Sequence, residues 1–203
     1  MSPDEGAPSP HTKSGSKGCL VIIALILVGF GIFVVKVYRY DPDIVASVRV
    51  EEGYDANRFE LRHKRILETI GVGIPPTKET RDLARDVVQK LIEGKHIRIE
   101  TDIDVQSEKK SLLAYVHVKV RGGQPGLENV LNDLGLPTGK VRLNAQGEVF
   151  INELLIRLGL APSKPEAPNL RHRARLEAAQ AAAKQDALGM WQSDPSGQPS
   201  PSP

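Results

Sequence analysis

Carboxylates, cations and imidazoles are the groups through which this chain could do chemistry, and their spacing is informative. Asp102 and Asp104 form a D-x-D pair just after an alternating stretch, a spacing able to chelate a hard cation, although a turn with exposed acids is the expected reading. Glu51 and Glu52 read as surface acids. Two basic clusters, Arg62-His63-Lys64-Arg65 and Arg171-His172-Arg173-Ala174-Arg175, could meet phosphates. Neither contains an aromatic side chain on which a base would stack, and aromatics make up only 4% of the chain. Their plain reading is a charged hairpin and the solvated start of a helix, although cations in a first helical turn oppose the helix dipole. None of the five histidines has a second histidine or cysteine at a metal-binding spacing, so no metal is expected. No nucleophile-elbow motif surrounds a serine. Cys19 is the single cysteine and can form no internal disulfide. A formal net charge of +2 is too small to argue for nucleic acid or a membrane surface by itself.

The elements that must position these groups follow from apolar periodicity. Ile44 to Glu52 alternates as a strand, Tyr54 to Asn57 is a turn, and Arg58 to Leu61 and Arg65 to Val72 read as two further strands. Pro75 and Pro76 end the extended stretch. Thr77 is the expected N-cap of a helix running to about Glu93, with Leu83, Val87, Leu91 and Ile92 as its apolar stripe and Gly94 as its stop. His96 to Thr101 and Leu113 to Val120 are the next strands. A Gly- and Pro-rich stretch follows, in which Gly126 to Leu134 could make a helical turn and Val141 to Leu143 an extra strand. Asn152 is expected to cap a short helix closed by Gly159, and Asn169 to start an alanine-rich helix ending near Gly189. The order implies an α+β domain whose meander of strands closes into a barrel.

Ahead of this domain, Cys19 to Val35 is a run without charge or proline. Roughly 17 helical residues reach about 25 Å, the short end of a bilayer span. Val37, Tyr38 and Tyr40 extend it, with Lys36 and Arg39 able to snorkel. The chain continues KVYRYDPD with no small-residue cleavage site, which favours a retained signal-anchor over residues 19–38. Lys13 and Lys17 on one side nearly balance Lys36 and Arg39 on the other, so the charges do not fix orientation; the short tail and long domain favour an extracytoplasmic domain. Residues 1–18 and 193–203 are Pro-, Ser- and Gly-rich and are expected to be disordered.

Four phrases resemble the thermonuclease-like (staphylococcal nuclease-like) family. ARDVVQKLIEGKHIRIETD, Ala84 to Asp102, resembles its central helix and following strand. LLAYVHV, Leu112 to Val118, resembles its LAYVY strand, and VFINELLIRLGLA, Val149 to Ala161, its phrase of the type VNEALVRQGLA. Asn169 to Trp191 resembles the closing helix, turn and tryptophan. The resemblance covers roughly Val45 to Trp191. It implies an OB-type five-stranded β-barrel with packed helices over residues 39–192, preceded by the membrane helix. About 28 residues separate the LAYVHV strand from VFINELLI, where the family has a short turn, so residues 121–148 read as an insertion.

The resemblance also implies what nuclease chemistry would need: acids on a calcium ion, a glutamate that positions water, and two arginines on the phosphate. The family's DGDT-like turn falls on Asp55 to Arg58, where Asp55 keeps one acid, Asn57 replaces the other and Arg58 adds a positive charge. The phrase resembling VRLIGIDTPE falls on Leu67 to Pro76, which puts Glu68 at the first arginine, Gly73 at the second acid and Pro76 at the glutamate. A slip that brings Arg65 to the arginine position restores neither of the others. The second arginine falls on Ser111, beside a Lys109-Lys110 turn. Asp55 and Arg65 are what could remain of a pocket. The expectation is a membrane-anchored, catalytically inactive domain without cofactor, which engages an unknown protein partner or belongs to a membrane complex. The competing expectation is a calcium-dependent nuclease with altered residues; nucleic-acid binding without cleavage lies between them.

Overall fold

The computed structural model describes residues 45–53 and 55–192. The apolar run from Cys19 to Val35 and both expected disordered tails lie outside them. Among the described residues no helix is long and apolar enough to cross a membrane.

Six strands form one sheet that closes on itself: β1 (Val45–Gly53), β2 (Arg58–Leu61), β3 (Arg65–Thr69), β4 (His96–Glu100), β5 (Leu112–Lys119) and β6 (Glu148–Phe150). Their order is β3-β2-β1-β4-β5-β6, and an added β3–β5 pairing closes the first five into a barrel. Every neighbouring pair is antiparallel except that closing seam, where Leu67, Glu68 and Thr69 run parallel to Leu112, Leu113 and Ala114. β1 serves both sides of the barrel: its first half pairs with β4 and its second with β2, across a register shift between Val50 and Glu52. A bulge of this kind bends a strand and raises its twist, which lets one strand turn the barrel's corner.

Helix α1 (Lys78–Ile92) starts where Thr77 accepts a hydrogen bond from the Thr80 N–H, and buries Ala84, Val87, Val88, Leu91 and Ile92. It lies so close over β1 that a Cβ on Gly53 would stand 2.9 Å from Val88 Cγ1. The segment between β5 and β6 contains a full helix, α2 (Gly123–Asp133), which buries Leu127 and Leu131; residues 141–143 are not a strand. Helix α3 (Ile151–Arg157) is buried along most of its length, and α4 (Arg173–Gln185) buries Leu176, Ala179 and Ala183.

Two expectations about asparagines are corrected. Asn152 does not cap α3, whose cap position is Phe150. Its fully buried side chain faces the barrel, accepting from the Val116 N–H at 2.9 Å and donating to the Ile70 carbonyl at 2.8 Å. Asn169 lies four residues ahead of α4 and exchanges two hydrogen bonds with the main chain of Asp104. In both cases a tertiary main-chain group outcompetes the local helix end for the amide.

Replacing Asn152 with alanine leaves a buried N–H and a buried carbonyl unpaired at the barrel wall. Urea denaturation followed by circular dichroism is expected to show a loss of roughly 3 kcal/mol.

Candidate functional site

The barrel seam determines which side chains meet. Glu68 is the middle residue of the parallel β3–β5 pairing, and Ser111 is the residue immediately before β5. The buried Ser111 hydroxyl donates to Glu68 Oε1 at 2.9 Å. Arg58 is the cross-strand partner of Glu68, and its Nε lies 3.7 Å from the same oxygen. Asn57 is tied in through its carbonyl, which accepts from the Thr69 N–H at 2.9 Å. Its side-chain oxygen and the Thr69 hydroxyl are buried without a hydrogen-bond partner among the described residues. The structure thus gathers the adjacent Asn57 and Arg58 with Glu68 and, from 43 residues further on, Ser111.

Asp55 lies in the same turn, where its carboxylate accepts from the Ala56 N–H and its own N–H donates to the Arg58 carbonyl. Arg65 is not part of the group. It opens β3, opposite Leu61 and beside the exposed turn Arg62–Lys64. Three residues along a strand separate it from Glu68 by about 10 Å and give it the opposite parity. Lys109 and Lys110 form an exposed turn in which Lys110 takes a left-handed φ of 62°.

Gly73 and Pro76 follow the seam. The Gly73 N–H donates to the Pro162 carbonyl at 2.8 Å, and a Cβ built on Gly73 would stand 2.8 Å from Pro162 Cγ and 3.3 Å from Pro162 O. Any side chain there, a carboxylate included, must push this contact apart. Pro76 is exposed, directly ahead of the cap of α1.

The sequence model of the family described as Staphylococcal nuclease homologue matches residues 76–193. The chain belongs to this family. No curated protein matches the chain. The family match takes in Ser111 and the closing helix but begins at Pro76, so Asp55, Asn57, Glu68 and Gly73 lie ahead of it. The barrel nonetheless brings Glu68 against Ser111.

A second polar cluster, which the sequence did not reveal as a unit, fastens α4 to the barrel. Glu100 accepts from Arg171 Nη1 at 2.8 Å and lies 3.1 Å from His172 Nε2. Burial alone would raise the Glu100 carboxyl; the hydrogen bonds and charges of Arg171 and His172 outweigh it and hold it below the ordinary range. Asp102 is buried, not exposed. It accepts from the Ile103 N–H, the Tyr115 hydroxyl and the Arg171 N–H. Burial raises the Tyr115 phenol, with Asp102 and Glu100 adding to the effect. These bonds account for the D-x-D pair as architecture: Asp102 anchors α4 by its carboxylate and Asp104 by its main chain. Among the described residues no three His, Cys, Asp or Glu side chains gather in a way that could hold a metal ion.

The same cluster answers the dipole problem of Arg171 to Arg175. Arg171 and His172 precede α4 and meet Glu100, Arg173 meets Glu177, and Arg175 meets Glu153 while lying 4.6 Å over the Phe150 ring. Each cation has a carboxylate to offset the repulsion from the helix end.

His117 on β5 is 6% exposed, stacks on Phe150 at 4.7 Å, and has no hydrogen-bond partner for either ring nitrogen among the described residues; Glu100 is 3.6 Å away. Burial first, then the positive charge of Arg98, pushes its pKa down to about 4, against the pull of Glu100 and Glu148.

Two predictions arise here. Gly73→Asp is expected to destabilise the domain by about 2 kcal/mol in thermal denaturation, through overpacking against Pro162. For His117, the unfolded chain takes up the proton near pH 6.5 and the folded domain only near 4. Stability is therefore fully present above 6.5 and falls as pH drops towards 4, by up to about 1.4 kcal/mol per pH unit from this residue. His117→Phe should remove that component of the slope in urea titrations across this window.

Proposed function

We propose that this chain is a membrane-tethered member of the staphylococcal nuclease family that does not cleave nucleic acid and works as an interaction or scaffold domain. The observation that supports this most is the Ser111–Glu68 hydrogen bond on the barrel seam. By the family resemblance these two positions would carry the arginines that hold the scissile phosphate. A carboxylate there repels a phosphate, and its nearest cation, Arg58, is already engaged with it. The close Gly73–Pro162 contact adds to this, because it leaves no room for an acid at the position of the second metal ligand. Loss of a single preorganised donor costs about 10² to 10³ in rate, and several are missing together.

The tether is residues 19–38, read from the uncharged run Cys19 to Val35, with the barrel domain on the extracytoplasmic side. In this reading the domain needs no cofactor, and a protein partner or a larger membrane complex takes the place of substrate.

The test uses the full-length chain purified in nonionic detergent beside an active family member, with single- and double-stranded DNA and RNA, in calcium and then in chelator. No calcium-dependent cleavage is expected. Cleavage that follows the protein through purification and stops with chelator would overturn the inactive reading. Separately, alkaline carbonate should leave the full chain in the membrane fraction and release a variant lacking residues 1–38. Release of the full chain would refute the tether.

A further inference from the structure

The segment between β5 and β6 builds one wall of a cleft of about 380 Å³ that lies apart from the Glu68–Ser111 seam. A volume in this range suits a small molecule. His117 and Phe150 line it, together with Lys140 to Asn144 from the intervening segment, Glu148, Glu153 and Arg175. The wall is held in place. Gln124 of α2 donates to the Val141 carbonyl and accepts from the Leu143 N–H, and the Asn144 side chain accepts from the N–H groups of Gln146 and Glu148. The cleft thus has fixed main-chain geometry before any ligand arrives, which lowers the ordering cost of binding.

Its charges do not cancel. Both carboxylates are already matched: Glu148 by a two-pronged contact from Arg98, and Glu153 by two nitrogens of Arg175. Lys140 shares Asp186 with Arg157. Arg142, exposed at the rim, has no ion-pair partner among the described residues. One full guanidinium therefore remains over a cleft whose acids are engaged. His117 also lines the cleft; neither ring nitrogen has a hydrogen-bond partner among the described residues, Glu100 lying 3.6 Å from Nε2, and Val141 and Leu143 supply apolar wall.

We propose that this cleft binds a small organic anion, its phosphate or carboxylate group paired with Arg142 and its body held between the apolar wall and the His117–Phe150 pair. A guanidinium suits both head groups, since its fork presents two parallel donors. This site is independent of nuclease competence, because it shares no residue with the Glu68–Ser111 group.

The test is isothermal titration of the full-length chain in nonionic detergent with phenyl phosphate, benzoate and inorganic phosphate, each to the order of 10 mM. Phenyl phosphate or benzoate is expected to bind, more weakly as salt rises. Arg142→Ala is expected to weaken binding at least tenfold, while Arg81→Ala, at an exposed position on α1, leaves it unchanged. Binding of phenyl phosphate without benzoate, or the reverse, identifies the head group. Inorganic phosphate binding as tightly as phenyl phosphate would refute the role of the cleft body. Absence of binding by both aromatic probes, or equal affinity in Arg142→Ala, would overturn the proposal.

Discussion

The barrel depends on how its seam is closed. β3 and β5 meet in parallel over only three residue pairs, a short contact that leaves neighbouring main-chain groups to be satisfied from elsewhere. The Asn152 amide supplies two of those bonds at once, one to Val116 in β5 and one to Ile70 just past β3. It is fully buried, so no water can replace it. The requirement fixes α3 against the seam, and α3 in turn carries Glu153 to the cleft lined by Arg142. Glu68 and Ser111 sit on the same seam, so the constraint that closes the barrel also brings them within hydrogen-bond distance.

The attachment of α4 is the other half of the architecture, and it is electrostatic where the seam is amide-based. Glu100 and Asp102, two residues apart at the end of β4, receive Arg171, His172 and the Arg171 main chain. Tyr115 on the adjacent strand adds its hydroxyl to Asp102 and an edge-on ring contact to His172. These groups are partly or wholly buried, so losing one partner would strand the other in a poorly solvated place. His117, on the same sheet face, is kept neutral by its surroundings and so adds no further positive charge beside Arg98.

Much of this was legible in the sequence, for identifiable reasons. Alternation along HIRIE and the stripe on α1 report burial directly, so β4 and α1 lie where the pattern puts them. Thr77 acts as the cap that its type and place imply. The order of three strands, helix, two strands, and the closing helices held, while the segment after β5 formed a longer helix than its Gly and Pro content suggested. Local reasoning failed where a side chain serves a distant main chain. Asn152 and Asn169 look like caps because asparagine favours caps, yet each pairs with backbone more than 30 residues away. The meeting of Glu68 with Ser111 was legible only through the family resemblance, since nothing in 43 residues of separation announces it. The cleft at Arg142 had no sequence signal, because it is made by the way the segment between β5 and β6 folds back.

The contents of the seam differ in kind from a pair of phosphate-binding groups. Two arginines held at these positions by the barrel would repel each other until an anion came between them, and a site of that kind is stable only with its ligand or at a cost to the fold. Glu68 and Ser111 have no such need. The hydroxyl donates, the carboxylate accepts, and Arg58 offsets the charge. The seam therefore holds a donor and an acceptor that satisfy each other. Their pairing contributes to the stability of the closed barrel.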